Sequence, residues 1–183
     1  MSQLKELINI LTGHFDNREQ FEKIKAKQPE FPYAQHVNTP CNDKIMNLPE
    51  QFEGCFMVEE SYYTVNGRTQ ASPHLFLFTQ KGDGVELTSY DLPATVDKKN
   101  MTYASLPMLD YNELQPSAKF TPALYLKKDG IWEGGSVSMF TPVLKFTLFE
   151  RFSYEVLEVS ETMEVNGKRT FGYDDAILYK RTD

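Results

Sequence analysis

Reversals spaced only a few residues apart are the strongest constraint on the fold of this chain. Asn66-Gly67 and Asn166-Gly167 are dipeptides suited to the left-handed backbone of a two-residue hairpin turn, and Lys81-Gly82-Asp83-Gly84 and Lys128-Asp129-Gly130 add two further reversals. The runs between them have strand chemistry. Residues 52–65 lead into the first turn, His74-Leu75-Phe76-Leu77-Phe78 leads out of it, and residues 85–90 follow the second. Residues 123–126 and 131–133 flank the third turn, and further strands are expected at 143–149, 154–159 and 176–180. Such a chain predicts a long antiparallel meander. Unpaired edges invite aggregation, so a meander of this length is expected to close or wrap, and a barrel of about eight strands has an interior able to hold one small ligand.

Two elements fall outside this rhythm. Leu4, Leu7, Ile8 and Leu11 follow helical spacing with Ser2 as N-cap, and Thr12-Gly13 ends that helix. Asp16, with Glu19 three residues on in capping-box position, predicts a second helix that carries Phe21 and Ile24 and stops near Pro29. Residues 92–122, with Pro93, Pro107 and Pro116, read as a long excursion over the barrel with one helical turn near 109–114. The expected fold is therefore mainly β: an antiparallel, calycin/lipocalin-like β-barrel with an N-terminal helical pair at about residues 1–28. Residues 1–183 are expected to form one domain.

Composition narrows the function. The 13 Phe, 10 Tyr and 1 Trp give strands their packing mass or line an apolar ligand site. A net charge of −7 argues against nucleic acid or an anionic membrane as partner, and no apolar run is long enough to cross a bilayer. The opening Met-Ser-Gln-Leu-Lys-Glu is amphipathic and has no secretory pattern, so a cytoplasmic location is expected. Cys41 and Cys55 form no CxxC, and His14, His36 and His74 are scattered, so no metal site is expected and both thiols are read as free, buried and inert.

Residues 11–20, Leu-Thr-Gly-His-Phe-Asp-Asn-Arg-Glu-Gln, resemble the opening of the T-type phycobiliprotein chromophore lyases, the CpcT/CpeT family, with Gly13, Phe15, Asn17 and Gln20 in the pattern positions. Phe56-Met57-Val58-Glu59-Glu60-Ser61-Tyr62 is similar to that family's hydrophobic-Val-Glu-Gln-x-Tyr strand, which puts Glu59 and Tyr62 on its Glu and Tyr. Pro32 and His36 sit where the family has a Pro-rich strand leading to a His. The matches span roughly the first half of the chain. The family's Tyr-Arg-x-Arg segment is replaced by Ala71-Ser72-Pro73-His74, its later cysteine strand by Thr121-Pro122-Ala123, and its C-terminal Asp-Arg-Gly segment has no counterpart. Those departures are of the kind expected in a divergent member, such as a phage-borne copy of a cyanobacterial gene.

The resemblance implies an enzyme that captures an open-chain tetrapyrrole, a bilin such as phycoerythrobilin, handed over by a bilin reductase. It then assists thioether attachment to a cysteine of a phycobiliprotein β-subunit. The bilin would be substrate, with no separate cofactor. A carboxylate near the ring nitrogens would favour the protonated, electrophilic bilin, and Glu59 is the first candidate for that catalytic role. By alternation Glu59 shares a face with Met57, Ser61 and Tyr63, whereas Glu60 shares the greasier face with Phe56, Val58 and Tyr62, so one of the pair is expected to point to solvent. Further ligand-binding candidates are Tyr62 and Tyr63, Arg68 in place of the missing arginines, and His74 beside Phe76. Tyr125 and Trp132 would form a stacking wall, and Lys145 would meet a propionate. Asp174-Asp175 reads as a turn. Rival readings are a bilin carrier without transferase activity, and an unrelated barrel for fatty acids or haem. Exposed apolar strands also make a homodimer an option.

Overall fold

The computed structural model describes residues 2–183; Met1, the first residue of the expected helical segment, lies outside them. Helix α1 spans Gln3–Leu11, and the Ser2 hydroxyl accepts the Lys5 N–H at 3.2 Å, as an N-cap should. Helix α2 spans Arg18–Ile24 and begins differently from expectation. Asn17 holds the cap position but its side chain is engaged elsewhere, donating to the Pro32 carbonyl at 3.0 Å and accepting the Ala34 N–H at 2.8 Å. Asp16 accepts the Arg18 N–H at 3.0 Å, and Glu19 forms no capping box, pairing instead with Lys23 and Lys180.

Ten antiparallel strands close the barrel: β1 Gly13–Asp16, β2 Tyr33–Pro40, β3 Cys55–Val65, β4 His74–Lys81, β5 Gly84–Asp91, β6 Ala123–Lys128, β7 Ile131–Met139, β8 Leu144–Phe152, β9 Leu157–Val165 and β10 Ile177–Arg181. Each pairs with its neighbours in sequence, and β10 returns to β1 through Phe15↔Arg181 and Asp16↔Lys180. The excursion does not interrupt the sheet, because β5 and β6 pair directly from Ala123↔Leu87 to Leu126↔Gly84. The fold is thus a closed up-and-down, calycin/lipocalin-like barrel, with ten strands rather than about eight.

The turns do what their sequences require. Asn66-Gly67, Asp129-Gly130 and Asn166-Gly167 all have positive φ at both residues, the two-residue turn whose twist matches antiparallel strands. At Gly134 and Gly135 the neighbouring backbones come so close that a Cβ would stand 2.2 Å from the Leu124 carbonyl oxygen and 2.0 Å from that of Leu148. Strand β7 therefore runs on through two glycines to Met139 and is longer than the expected 131–133. Tyr154 lies in the following turn, not in a strand.

Two cores result. Inside the barrel, α1 packs Leu7, Ile10 and Leu11 against Phe78, Val85, Trp132 and Phe152, sealing one end; Lys127–Glu6 and Gln80–Gln3 contacts fix the helix there. Outside, the 92–122 excursion covers β3 and β4, burying Phe56, Val58, Leu75 and Leu77 under Leu92, Val96, Met101, Leu106, Leu109 and Leu114. The expected helical turn is a short 3₁₀ helix at Tyr111–Glu113. Cys41 is buried and Cys55 half-buried, both free; burial pushes their thiols up to about 12 and about 11. Among the described residues no helix is long and apolar enough to cross a membrane.

Candidate functional site: a carboxylate-lined barrel cavity

Alternation along the strands turns one side chain in two toward the barrel axis, and above the α1 seal these enclose a cavity. Its space is about 850 Å³ with the mouth included, of which about 70 Å³ takes the centre of a water molecule. By that measure it has room for on the order of five waters at about 10–15 Å³ each. Leu11 forms part of the floor, and Phe76, Phe78, Phe146, Leu148 and Phe152 form much of the wall. At the mouth, Phe120 makes edge contacts with Phe140 (5.1 Å between centroids), Phe146 (5.7 Å) and His74 (6.4 Å).

Three carboxylates face this apolar space: Glu59 from β3, Glu150 from β8 and Glu161 from β9. None has a lysine or arginine within ion-pair distance, and no cation lines the cavity among the described residues. Burial pushes Glu150 up to about 8, against the pull of the Tyr125 hydroxyl that donates to it, and the charges of Glu59 and Glu161 push the same way. Burial and then Glu59 raise Glu161 to about 7. Glu59 accepts the Ser61 hydroxyl at 3.0 Å, and its Oε2 lies 3.7 Å from His36 Nδ1.

Two histidines complete the polar wall. Burial lowers the pKa of both His36 and His74, with Glu59 opposing it, so each is held toward the neutral form. His36 stacks on Tyr179 at 4.2 Å, while His74 stacks on Phe76 and meets the Ser72 hydroxyl at 3.2 Å. His36 Nε2 and Asn38 Oδ1 are buried without a hydrogen-bond partner among the described residues, and both residues line the cavity. A native interior rarely leaves such atoms unpaired, and here they add two vacant polar positions to a wall already rich in acceptors. Among the described residues no group of three or more His, Cys, Asp or Glu could hold a metal ion.

The expected site residues divide sharply. Glu59, His74 and Phe76 line the cavity, and Tyr63 points inward beside His36 and Glu161. Glu60 does not point to solvent: it is half-buried under the excursion, accepting the Tyr62 hydroxyl at 2.8 Å and the Tyr103 N–H at 3.0 Å. Tyr62 is therefore on the outer face, away from the cavity. Arg68 is exposed beside a hairpin tip. Lys145 also points outward, paired with Glu164; its face carries Val143 and Phe149, which are 49% and 45% exposed. Tyr125 and Trp132 form no stacking wall, because both are fully buried in the sealed end, Tyr125 packing on Phe152 and holding Glu150.

Glu150, Glu161, Asn38 and Phe120 escaped the sequence reading. The signal for two of them was present: Glu150 alternates with Phe146, Leu148 and Phe152, and Glu161 with Leu157 and Val159, so each is a carboxylate on an apolar strand face. The sequence matches no protein-family model and no curated protein.

Proposed function

We propose that this barrel binds an open-chain tetrapyrrole, a bilin of the phycoerythrobilin type, and assists its attachment to a cysteine of a phycobiliprotein β-subunit. The observation that carries the reading is the trio of Glu59, Glu150 and Glu161 in an aromatic cavity without a cation. Such a wall accepts hydrogen bonds and favours positive charge. A bilin offers a conjugated apolar body and pyrrole N–H donors, and protonation gives it the cation the carboxylates lack. The resemblance of residues 11–20 and 56–62 to T-type lyases points the same way. The free space is small against the roughly 300–1,000 Å³ of ordinary ligand sites, so a bilin must part the Phe120–Phe140 rim or leave part of itself outside.

The chemistry asks little of this chain. The acceptor's thiol adds across the ring A double bond: a C–S bond forms, the thiol proton passes to the tetrapyrrole, and nothing leaves. Holding the bilin protonated makes ring A more electrophilic, and the barrel orients it. Cys41 and Cys55, with their thiols pushed up by burial, are no nucleophiles for this step. An acceptor thiol must be reduced, which ties the proposal to a cytoplasmic setting. A bilin carrier without transferase activity is the second reading, favoured by the absence of the family's arginines at residues 71–74. A fatty acid fits worse, because its alkyl chain offers no N–H donor to the three carboxylates that line the cavity.

The test is an absorption titration of the protein with phycoerythrobilin. A red-shifted, sharpened band saturating at one equivalent, and weakened in Glu59→Gln, is expected. An unaltered free-bilin spectrum would sink the lyase and carrier readings together. Co-expression with a phycobiliprotein β-subunit then separates them, since only the lyase yields a covalent adduct.

A further inference from the structure

The bilin reading leaves a problem of orientation: such a ligand carries two propionates, and the cavity meets them with carboxylates and no cation. A propionate brought among them would add a further negative group where burial and mutual repulsion already push Glu150 and Glu161 toward the neutral form, so the propionates must lie elsewhere. The rim supplies the missing charge. Lys119 Nζ sits 4.1 Å from the centroid of the Phe140 ring and 5.4 Å from that of Phe120, over the aromatic pair at the cavity mouth. It is close enough for its charge to lower the pKa of His74. No carboxylate lies within ion-pair distance of it among the described residues, whereas Lys145 is taken by Glu164 and Arg169 by Asp174.

The segment that carries Lys119 is held on both sides. The Ser117 N–H donates to the Ser89 carbonyl at 2.8 Å, and the Thr121 N–H donates to the fully buried Ser138 hydroxyl at 2.9 Å. Ser89 lines the cavity wall, so this anchoring fixes Lys119 and Phe120 relative to the cavity itself. An ammonium resting on aromatic rings is partly stripped of water and keeps its N–H donors available for an incoming anion.

We propose that Lys119 is the carboxylate anchor of the site, so that the ligand binds with its ring nitrogens inward on the three glutamates and its acid side chains outward at the rim. The proposal rests on the bilin reading and adds polarity to it: one end of the site recognises donors, the other an anion. In that pose, Phe120 and Phe140 cover the conjugated body where it leaves the barrel.

The experiment compares phycoerythrobilin with its dimethyl ester on the wild type, Lys119→Gln and Lys119→Glu, by fluorescence titration at low and high salt. Lys119 is exposed and its side chain makes no hydrogen bond among the described residues, so both variants should fold. Expected is a loss of affinity for the diacid of about fivefold in Lys119→Gln and about tenfold or more in Lys119→Glu, shrinking at high salt. The ester should bind all three proteins alike. Equal diacid binding by wild type and Lys119→Glu overturns the anchor, as does an equal loss for diacid and ester. If the wild type binds neither compound, the bilin reading itself fails; if it binds both and only the variants disagree with expectation, the fault lies with the orientation.

Discussion

Strand β3 carries two adjacent glutamates into two different interiors, and their fates differ. Glu60 turns outward beneath the 92–122 excursion, where the Tyr62 hydroxyl and the Tyr103 N–H both donate to it. Glu59 turns inward, where Glu150 and Glu161 face the same space and a single serine hydroxyl donates to it. Both are half-buried, so burial does not distinguish them. What distinguishes them is the supply of donors. The outer core satisfies its carboxylate with two donors, whereas the inner cavity brings three carboxylates together with fewer.

The largest loss of stability is expected in the outer core. Phe56→Ala removes a fully buried ring that contacts Phe52, Tyr90 and Tyr111, and should cost about 3–5 kcal/mol by chemical denaturation. The folded fraction should still bind bilin with wild-type affinity. A matching loss of affinity would show that the two cores are not separable.

A smaller effect sharpens the contrast between carboxylates. Glu150 and Glu161 are raised in the folded protein to about 8 and about 7, so between the ordinary carboxylate range and pH 8 the folded state binds more protons than the unfolded state. Their contribution to stability is therefore greatest at acid pH and falls as pH rises through that window. His36 and His74, with lowered pKa, act oppositely below about pH 6.5, since the unfolded chain takes up their protons first. Taking the difference between wild type and Glu150→Gln cancels the histidines. The variant should gain stability relative to wild type from pH 5 to pH 8.5, and a pH-independent difference would refute the burial-raised titration of Glu150.

The smallest effects belong to residues that the sequence made attractive and the fold set aside. Arg68→Ala and Lys145→Ala should each change stability by less than about 1 kcal/mol and leave the bilin spectrum alone. A clear spectral change in either would return its outer position to the binding site.

How far the sequence could be read follows from the same physics. The hairpins were legible because Asn-Gly and Asp-Gly demand a backbone that few other pairs accept. Strand β1 was not, since four residues between two helices are too short to show a period. The extension of β7 beyond Glu133 was not legible, because the need for Gly134 and Gly135 lies on neighbouring strands, in the Leu124 and Leu148 carbonyls. Glu59 and Glu60 could not be told apart because the excursion buries the second face of β3, and alternation distinguishes inside from outside only when one side is wet. Lys145 was misread for the opposite reason: Val143 and Phe149 are apolar yet exposed, so they marked the wrong face as inner. Lys119 and Phe120 had no signal at all, for their meeting with Phe140 depends on how a loop is tied across the barrel mouth.

The seam between β1 and β10 has a consequence in time. Arg181 donates to the Thr12 carbonyl at 2.6 Å across a sequence separation of 169 residues, and β1 has no other partner on that side. During synthesis at about 5–20 residues per second, the edge of β1 must wait on the order of 10 s for the strand that completes it. Throughout that interval the barrel cannot close. The cavity is therefore among the last features to form, once translation has passed β10.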